Sequence, residues 1–208
     1  MKQLLGILLL ALSLPGFGQQ DTTSILCRQL PATAAGTVLM TTGTLFTYNP
    51  YLHNQAVRLR DNVQADGHRR VMVDDYLQYL PAAAPITLNL CGVKGRHSFC
   101  KLALLEGGSY LFGASLLYAG KYGLGIQRPD GSSYNSFPSG HSFTAFTGAE
   151  ILRREYGKEY PWIAVAGYVV ATFVGAMRIY NNRHWAGDVM AGAGLGILSV
   201  SVMYWLFD

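Results

Sequence analysis

Residues 187–207 read GDVMAGAGLGILSVSVMYWLF, and this stretch decides the fold. Asp188 is its only charged residue, and a helix needs roughly 20 apolar residues to cross the hydrocarbon core of a bilayer. Residues 161–177, PWIAVAGYVVATFVGAM, contain no charged side chain at all. The chain is therefore predicted to form a bundle of apolar helices that is embedded in a membrane.

The composition of the whole chain agrees with this interpretation. Charged residues make up 13% of the 208 residues and apolar residues 50%, whereas soluble proteins are about 25% charged. No internal repeat is visible, and a chain of this length forms one sizeable core, so residues 20–208 are predicted to be a single all-α domain. The net charge of +4 suggests anionic partners, but Lys and Arg form short separate clusters rather than a stripe, which argues against nucleic acid.

Residues 1–19 have the composition of an export signal. Lys2 precedes an apolar run over residues 4–14, and small or polar residues follow at positions 15–20. We expect a signal peptide that is cleaved near Gly18 or Gln19. An N-terminal anchor that stays attached is the alternative.

Further helices are predicted on both sides of a polar segment. Residues 33–48 and 102–120 are apolar, and residues 141–154 also have a helical pattern. Residues 49–81 are charged and lack long apolar runs, so they are predicted to be a solvated extramembrane segment with one amphipathic helix. Residues 121–139 are rich in Gly, Ser, Pro and Asn and are predicted to be a loop.

The distribution of Lys and Arg predicts the orientation in the membrane. Short cytoplasmic loops hold an excess of these residues, which places the turn with Arg153, Arg154 and Lys158 on the inner side. The helices then alternate, so residues 121–139 and 178–183 share the outer, periplasmic face. Residues more than fifty positions apart in sequence are thus expected to meet there.

The number of spans leaves one difficulty. A cleaved signal followed by spans at both 33–48 and 85–93 would reverse the predicted orientation. The apolar run over residues 85–93 is well short of the roughly 20 residues of a spanning helix, so it is expected not to cross.

Two parts of the predicted outer face carry groups that bind oxyanions. Lys121 and Arg128 flank a glycine-containing loop and offer a point charge and a planar guanidinium. Residues 138–141 read PSGH just before a predicted helix, where Ser139 offers a hydroxyl and Gly140 lets the backbone approach a ligand. The first free N–H groups of that helix attract an anion. Taken separately, these features also fit solvated charges and an ordinary helix cap.

A third part combines a nucleophile with an orienting acid. In residues 178–188, RIYNNRHWAGD, His184 and Asp188 are four positions apart and face the same side of a helix that begins at His184. The Asp188 carboxylate can hold one imidazole nitrogen and leave the other free to attack, while Arg178 adds a second guanidinium. An isolated pair of this kind is more often a surface contact at a helix start.

Together the three parts, K-x6-RP, PSGH and R-x5-H-x3-D, resemble the signature of the type-2 phosphatidic acid phosphatase superfamily. The resemblance covers residues 82–206. It implies a helical bundle of the type shared by these phosphatases and the haloperoxidases, and a metal-independent phosphatase of the bacterial cell envelope. Met177 departs from the family, which usually has Ser before the arginine, but none of the catalytic groups is lost.

The resemblance also implies a role for each residue. His184 attacks phosphorus, Asp188 orients it, and His141 protonates the leaving oxygen and then activates water. No metal or other cofactor is expected, since the sequence lacks the clustered Asp and Glu that hold magnesium. The groups expected to bind the phosphoryl oxygens are Lys121, Arg128, Ser139, Gly140 and Arg178.

The expected substrate is a membrane lipid phosphate: lipid A, undecaprenyl pyrophosphate, phosphatidate or phosphatidylglycerol phosphate. The expected location is the inner membrane with the site facing the periplasm, and neither nucleic acid nor an obligate protein partner is implied. Three alternatives stay open. Glu106 and Glu150 within apolar helices leave room for a soluble periplasmic acid phosphatase. The others are a vanadium-dependent haloperoxidase with His184 as the vanadate ligand and a non-catalytic binder of lipid phosphate.

Overall fold

The computed structural model describes residues 22–67 and 69–208, with side chains from Leu30 onward, so the predicted signal or anchor at residues 1–19 lies outside the described residues. The described residues form eight helices and no β-strand. The prediction of an all-α bundle is therefore confirmed. In chain order the helices are α1 (Thr22–Tyr48), α2 (Pro50–Gln64), α3 (Val73–Leu77), α4 (Tyr79–Leu90), α5 (Phe99–Leu124), α6 (Gly140–Tyr156), α7 (Pro161–Tyr180) and α8 (Ala186–Phe207).

Three of these helices are long and apolar enough to cross a membrane: α5, α7 and α8. They contain the apolar stretches predicted at residues 102–120, 161–177 and 187–207, and they identify a membrane protein. The helix α7 begins at Pro161, where the missing N–H of proline removes no hydrogen bond from the helix.

Helix α6 forms the centre of the bundle. It packs against α4, α7 and α8, and most of its residues are buried. The buried carboxylate of Glu150 accepts hydrogen bonds of 2.7 Å from Arg153, Arg154 and the hydroxyl of Tyr168. Because both carboxylate oxygens are paired, the charge is tolerated inside the protein. Arg153 and Arg154 lie in the last turn of α6, at the end of the helix opposite to the PSGH motif.

Small residues let α1 and α8 approach each other closely. A Cβ atom at Gly43 would lie 2.5 Å from the carbonyl oxygen of Gly187, and one at Gly194 would lie 2.5 Å from the backbone nitrogen of Met40. Only glycine fits at such crossings, because any side chain would overlap the backbone of the partner helix. The contact fixes the start of α8, which carries Asp188.

Another glycine of α8, Gly192, packs against the backbone of the PSGH motif. A Cβ atom there would lie 2.3 Å from the carbonyl oxygen of Ser139. We therefore expect Gly192→Ala to push the start of α6 away from α8 and to destabilise the fold by about 1–3 kcal/mol. The matched control is Gly107→Ala on α5, where a Cβ atom would meet nothing within 4 Å. Unfolding in detergent measures both variants, and equal stability of the two would contradict this packing role.

Two helices start earlier than the sequence predicts. Helix α1 is already formed at Thr22, where the described residues begin, whereas the sequence predicts it only from residue 33. Helix α4 begins at Tyr79 and continues through Pro85, where the predicted apolar run only begins. Both helices pack along a long partner, α1 against α8 and α4 against α6. Such packing stabilises helices that the local sequence does not favour.

Helix α5 also ends later than predicted. It continues to Leu124, so Lys121 lies in its last turn and not in a loop. The residue that ends the helix is Gly125, whose φ of 59° is the left-handed conformation common at helix C-termini. The loop that follows therefore covers only residues 125–139.

Residues 49–81 differ most from the prediction. They contain α2, α3 and the start of α4 rather than one helix, and they are not solvated throughout, because Asp74 on α3 has no exposed surface. The side chain of Asn49 caps α2 by accepting the N–H groups of Tyr51 and Leu52 at 3.0 and 3.2 Å. Helix α3 packs against α6 and α7. This segment thus covers the end of the bundle where α6 starts.

Candidate active site

Four helix ends meet at one end of the bundle. These are the C-terminal ends of α5 and α7 and the N-terminal ends of α6 and α8. The charges of Lys121, Arg178 and Asp188 all act on His184, and those of Arg178 and Asp188 also act on Arg128. The structure thus brings together the residues that the sequence places in three separate motifs.

His184 is the nucleophile candidate, and it lies buried in the turn between α7 and α8. Its Nδ1 is 3.5 Å from Oδ2 of Asp188, longer than a normal hydrogen bond. The same carboxylate oxygen accepts a 2.9 Å bond from the N–H of Trp185 and a 2.5 Å bond from the hydroxyl of Ser136. The Ser136 oxygen is also 3.4 Å from Nδ1 of His184. Ser136, to which the sequence assigned no part in the chemistry, therefore belongs to this pair.

The environment of His184 keeps its imidazole neutral. Burial lowers the pKa of His184 to about 4, and the nearby charges of Lys121 and Arg178 act in the same direction, while Asp188 works against them. At neutral pH the ring therefore carries one proton. Since Nδ1 faces Asp188 and Ser136, Nε2 is the nitrogen that is left with a free lone pair.

The PSGH stretch forms the N-terminus of α6. Ser139 is the N-cap residue: its hydroxyl oxygen accepts the N–H of Ser142 at 3.4 Å and the hydroxyl of Ser142 at 3.0 Å. Its own N–H donates to the carbonyl oxygen of Asp188 at 2.9 Å, which joins the second motif to the third. At Gly140, a Cβ atom would lie 3.8 Å from Cε of Lys121. The positive end of the helix therefore lies beside a lysine.

Lys121 and Arg128 converge on Asn135 in the loop that follows α5. The ammonium group of Lys121 donates to the carbonyl oxygen of Asn135 at 2.9 Å, and Nε of Arg128 donates to its side-chain oxygen at 3.1 Å. Burial, followed by the charges of Arg183 and Arg178, lowers the pKa of Arg128. These cations repel one another, so an oxyanion placed among them would be stabilised.

Arg178 is almost completely buried and is held by two acids on α3. Its Nη1 donates to Asp74 at 2.5 Å and to Asp75 at 2.9 Å, and Asn181 donates to the other oxygen of Asp74 at 2.8 Å. The Nε atom of Arg178 is buried without a hydrogen-bond partner among the described residues. Sequence reasoning missed both acids, since they lie more than a hundred positions before Arg178 in a segment without a motif.

His141 contacts one of the same acids. Its Nε2 is 3.0 Å from Oδ1 of Asp75. Burial, followed by the charge of Arg178, lowers the pKa of His141 to about 4, although Asp75 opposes the shift. Burial alone would raise the pKa of Asp75, but its hydrogen bond with His141 and the charges of Arg178 and Arg70 outweigh burial and lower it. Asp75 is therefore ionised at neutral pH.

The donor atoms of Asp74, Asp75 and His141 all lie within 4.8 Å of one another, which is a spacing that can hold a cation. Both carboxylates already form ion pairs with Arg178. A metal ion between them would face the guanidinium at close range. These residues therefore fit an ion-pair network better than a metal centre.

Helix α2 and the loop after α5 cover one side of the site. The guanidinium of Arg60 lies over the ring of Trp185, 5.3 Å from its centroid. The indole N–H of Trp185 donates to the carbonyl oxygen of Gln127 at 2.9 Å. Arg183 forms an ion pair of 2.7 Å with Asp130, so its charge is already matched within the protein.

These features define a class: an all-α membrane protein in which basic side chains surround a buried histidine–aspartate pair. Residues 97–208, more than half of the chain, match the family model of the PAP2 superfamily. The chain therefore belongs to the PAP2 superfamily, which confirms the resemblance seen in its motifs.

Two curated relatives are similar to this chain. A lipid A 1-phosphatase of Porphyromonas gingivalis is 43% identical over 143 residues, which cover 68% of this chain and 32% of the relative. An undecaprenyl-diphosphatase of Sulfolobus acidocaldarius is 39% identical over 61 residues, which cover 29% of this chain and 28% of the relative. The chain thus spans about a third or less of the length of these relatives.

One solved structure is also similar. It is the crystal structure of a transmembrane PAP2-type phosphatidylglycerolphosphate phosphatase from Bacillus subtilis. The two chains are 20% identical with a TM-score of 0.43, and the match covers 88% of this chain and 94% of the other.

Proposed function

We propose that this protein hydrolyses a phosphomonoester or pyrophosphate of a membrane lipid through a phosphohistidine at His184. The observation that carries the proposal is the buried His184, whose Nδ1 lies 3.5 Å from Asp188 and which is close to the charges of Lys121 and Arg178. A neutral imidazole with one free nitrogen is a nucleophile, and the surrounding cations attract the phosphate that it attacks. Binding alone would not require this arrangement.

In the first step, Nε2 of His184 attacks phosphorus and the bond from phosphorus to the leaving oxygen breaks. Nδ1 keeps its proton, and Asp188 stabilises the positive charge that develops on the ring. The carboxylate stays in place because Ser136 and the N–H of Trp185 donate to it. The negative charge of the bound phosphate raises the pKa of His141, and His141 in its protonated form transfers its proton to the leaving oxygen.

In the second step, water attacks the phosphohistidine. Neutral His141 accepts a proton from this water, the bond between nitrogen and phosphorus breaks, and inorganic phosphate leaves. His184 becomes neutral again and His141 regains its charge, so the cycle closes. In both steps the charge on the non-bridging oxygens is stabilised by Lys121, Arg128, Arg178, the hydroxyl of Ser139 and the N–H of Gly140.

The position of the site relative to the apolar helices supports a lipid as the substrate. The site lies at one end of three apolar helices, where the headgroup of a lipid would lie in a bilayer. The relatives named above support lipid A phosphate or undecaprenyl pyrophosphate as the first choice, with phosphatidate and phosphatidylglycerol phosphate in the same chemical class. The basic turn with Arg153, Arg154 and Lys158 lies at the other end, which supports a periplasmic site in a bacterial inner membrane.

A substrate panel tests this function. The purified protein in detergent, with EDTA present, is given each of the four lipids and water-soluble p-nitrophenyl phosphate. We expect phosphate release from lipid A or undecaprenyl pyrophosphate to have a kcat/KM about tenfold or more above that for the soluble ester, since contacts with the lipid contribute to binding. Release only after addition of a divalent metal, or only from the soluble ester, would contradict the proposal.

A further inference from the structure

Asp75 connects the two groups that the proposed reaction uses near the phosphate. Its Oδ1 accepts a hydrogen bond of 2.9 Å from Arg178 and lies 3.0 Å from Nε2 of His141. Its Oδ2 accepts a bond of 2.7 Å from Arg70. Because the carboxylate is ionised, it keeps the proton of neutral His141 on Nε2. Nδ1 is then the nitrogen that can exchange a proton with a ligand.

The relation between Asp75 and His141 repeats the relation between Asp188 and His184. In each pair, one ring nitrogen faces a carboxylate and the other is left for chemistry. The neighbouring Asp74 differs, because it is fully buried and bonds Arg178 and Asn181 but not His141. Asp74 therefore anchors Arg178, whereas Asp75 acts on the histidine.

We propose that Asp75 is a positioning residue for proton transfer by His141. It holds His141 in the tautomer that leaves Nδ1 for the leaving oxygen, and its negative charge favours the imidazolium form that donates the proton. The proposal rests on the proposed function, and it assigns part of the chemistry to α3, which lies outside all three motifs.

The charges around His141 determine how it responds to the loss of Asp75. The groups that face it are Asp74 and Asp75 on α3 and Arg178 on α7, and Lys121 on α5 lies beside Gly140, the residue that precedes it. Burial and Arg178 lower the pKa of His141, and the two acids raise it. Removing the charge of Asp75 must therefore lower this pKa further and reduce the fraction of His141 that can donate a proton.

The same substitution has the opposite effect on anion binding. Asp75 shares Nη1 of Arg178 with Asp74 and places a negative charge beside the phosphate site. Without that charge, Arg178 is freer to bind a phosphoryl oxygen and the anion is repelled less. A purely structural role would instead weaken both turnover and anion binding.

The test is Asp75→Asn in the full-length protein in detergent. We expect kcat to fall about 10–100-fold and the alkaline limb of the kcat–pH profile to move about one to two units lower. Inhibition by inorganic phosphate should be as tight as in the unmodified protein or tighter. Asp75→Glu keeps a carboxylate and should return the alkaline limb towards its original position. The matched control is Arg70→Gln, which removes a half-exposed partner of Asp75 and should change kcat little.

Three outcomes would overturn the proposal. A higher kcat in Asp75→Asn would mean that Asp75 blocks the site. An unchanged kcat and alkaline limb would mean that Asp75 does not act on His141. Weaker phosphate inhibition together with lost turnover would indicate a structural role only.

A titration that needs no turnover separates this inference from the proposed function. The pKa of His141 is followed by NMR of histidine-labelled protein, with His141→Asn used to assign its signal. A lower pKa in Asp75→Asn supports the coupling even if the lipid panel shows no hydrolysis. An unchanged pKa overturns it even if hydrolysis is found.

Discussion

Replacing His184 with glutamine is expected to reduce phosphate release from the lipid substrate by at least about 10⁴-fold. Glutamine keeps a polar side chain of similar size but has no nitrogen that can form a bond to phosphorus. The cations of the site remain, so the affinity for inorganic phosphate should change only a few-fold. Initial rates and phosphate inhibition in detergent measure the two effects separately.

The control for this variant is a substitution of the neighbouring residue, Arg183. Arg183→Gln removes a cation that is paired with Asp130, and it should leave most of the rate intact. If His184→Gln kept more than about 1% of the original rate, another group would have to be the nucleophile.

Replacing His141 with asparagine is expected to slow lipid hydrolysis by about 10²–10⁴-fold. No group is then left to protonate the leaving oxygen or to accept a proton from water. With p-nitrophenyl phosphate the leaving group needs no proton, so the first step should survive and the second should become limiting. A burst of nitrophenol equal to the amount of protein, followed by slow turnover, is the expected time course.

The double variant His141→Asn/His184→Gln is the control for the burst. It should release no burst, because the nucleophile that holds the phosphate is gone. Equal slowing of the lipid and the soluble ester by His141→Asn, without any burst, would show that His141 does not act as acid and base.

The sequence predicted those parts of the molecule that local rules determine. The stretches at residues 161–177 and 187–207 are apolar over the length of a span, and they lie within helices α7 and α8. His184 and Asp188 are close, as predicted, but the prediction that the helix begins at His184 was wrong: α8 begins at Ala186, and His184 lies in the turn that leads into it. The three motifs come together because their helices alternate in direction through the bundle.

The predicted end of α5 was wrong because glycine occurs both inside helices and at their ends. Residues 120–125 contain three glycines, and two of them lie inside the helix. Only Gly125 adopts the left-handed conformation that ends it. Composition alone does not show which glycine ends a helix, since the choice depends on the packing around it.

Asp74, Asp75 and Ser136 could not be assigned from the sequence because their partners are distant. Asp74 and Asp75 bind Arg178 across 104 and 103 positions, and Ser136 binds Asp188 across 52. Residues 49–81 look like a solvated segment because they are charged and lack long apolar runs. The tertiary fold buries Asp74 by pairing it with Arg178 and Asn181, which no local pattern reveals.

The most direct measurement is to trap the phosphorylated intermediate. The protein is mixed with a ³²P-labelled lipid substrate, quenched in alkali within one turnover, and digested for mass spectrometry. We predict an alkali-stable, acid-labile phosphate on the peptide that contains His184, and no label in His184→Gln. Full turnover without label on His184, or label on another residue, would contradict a phosphohistidine mechanism at this site.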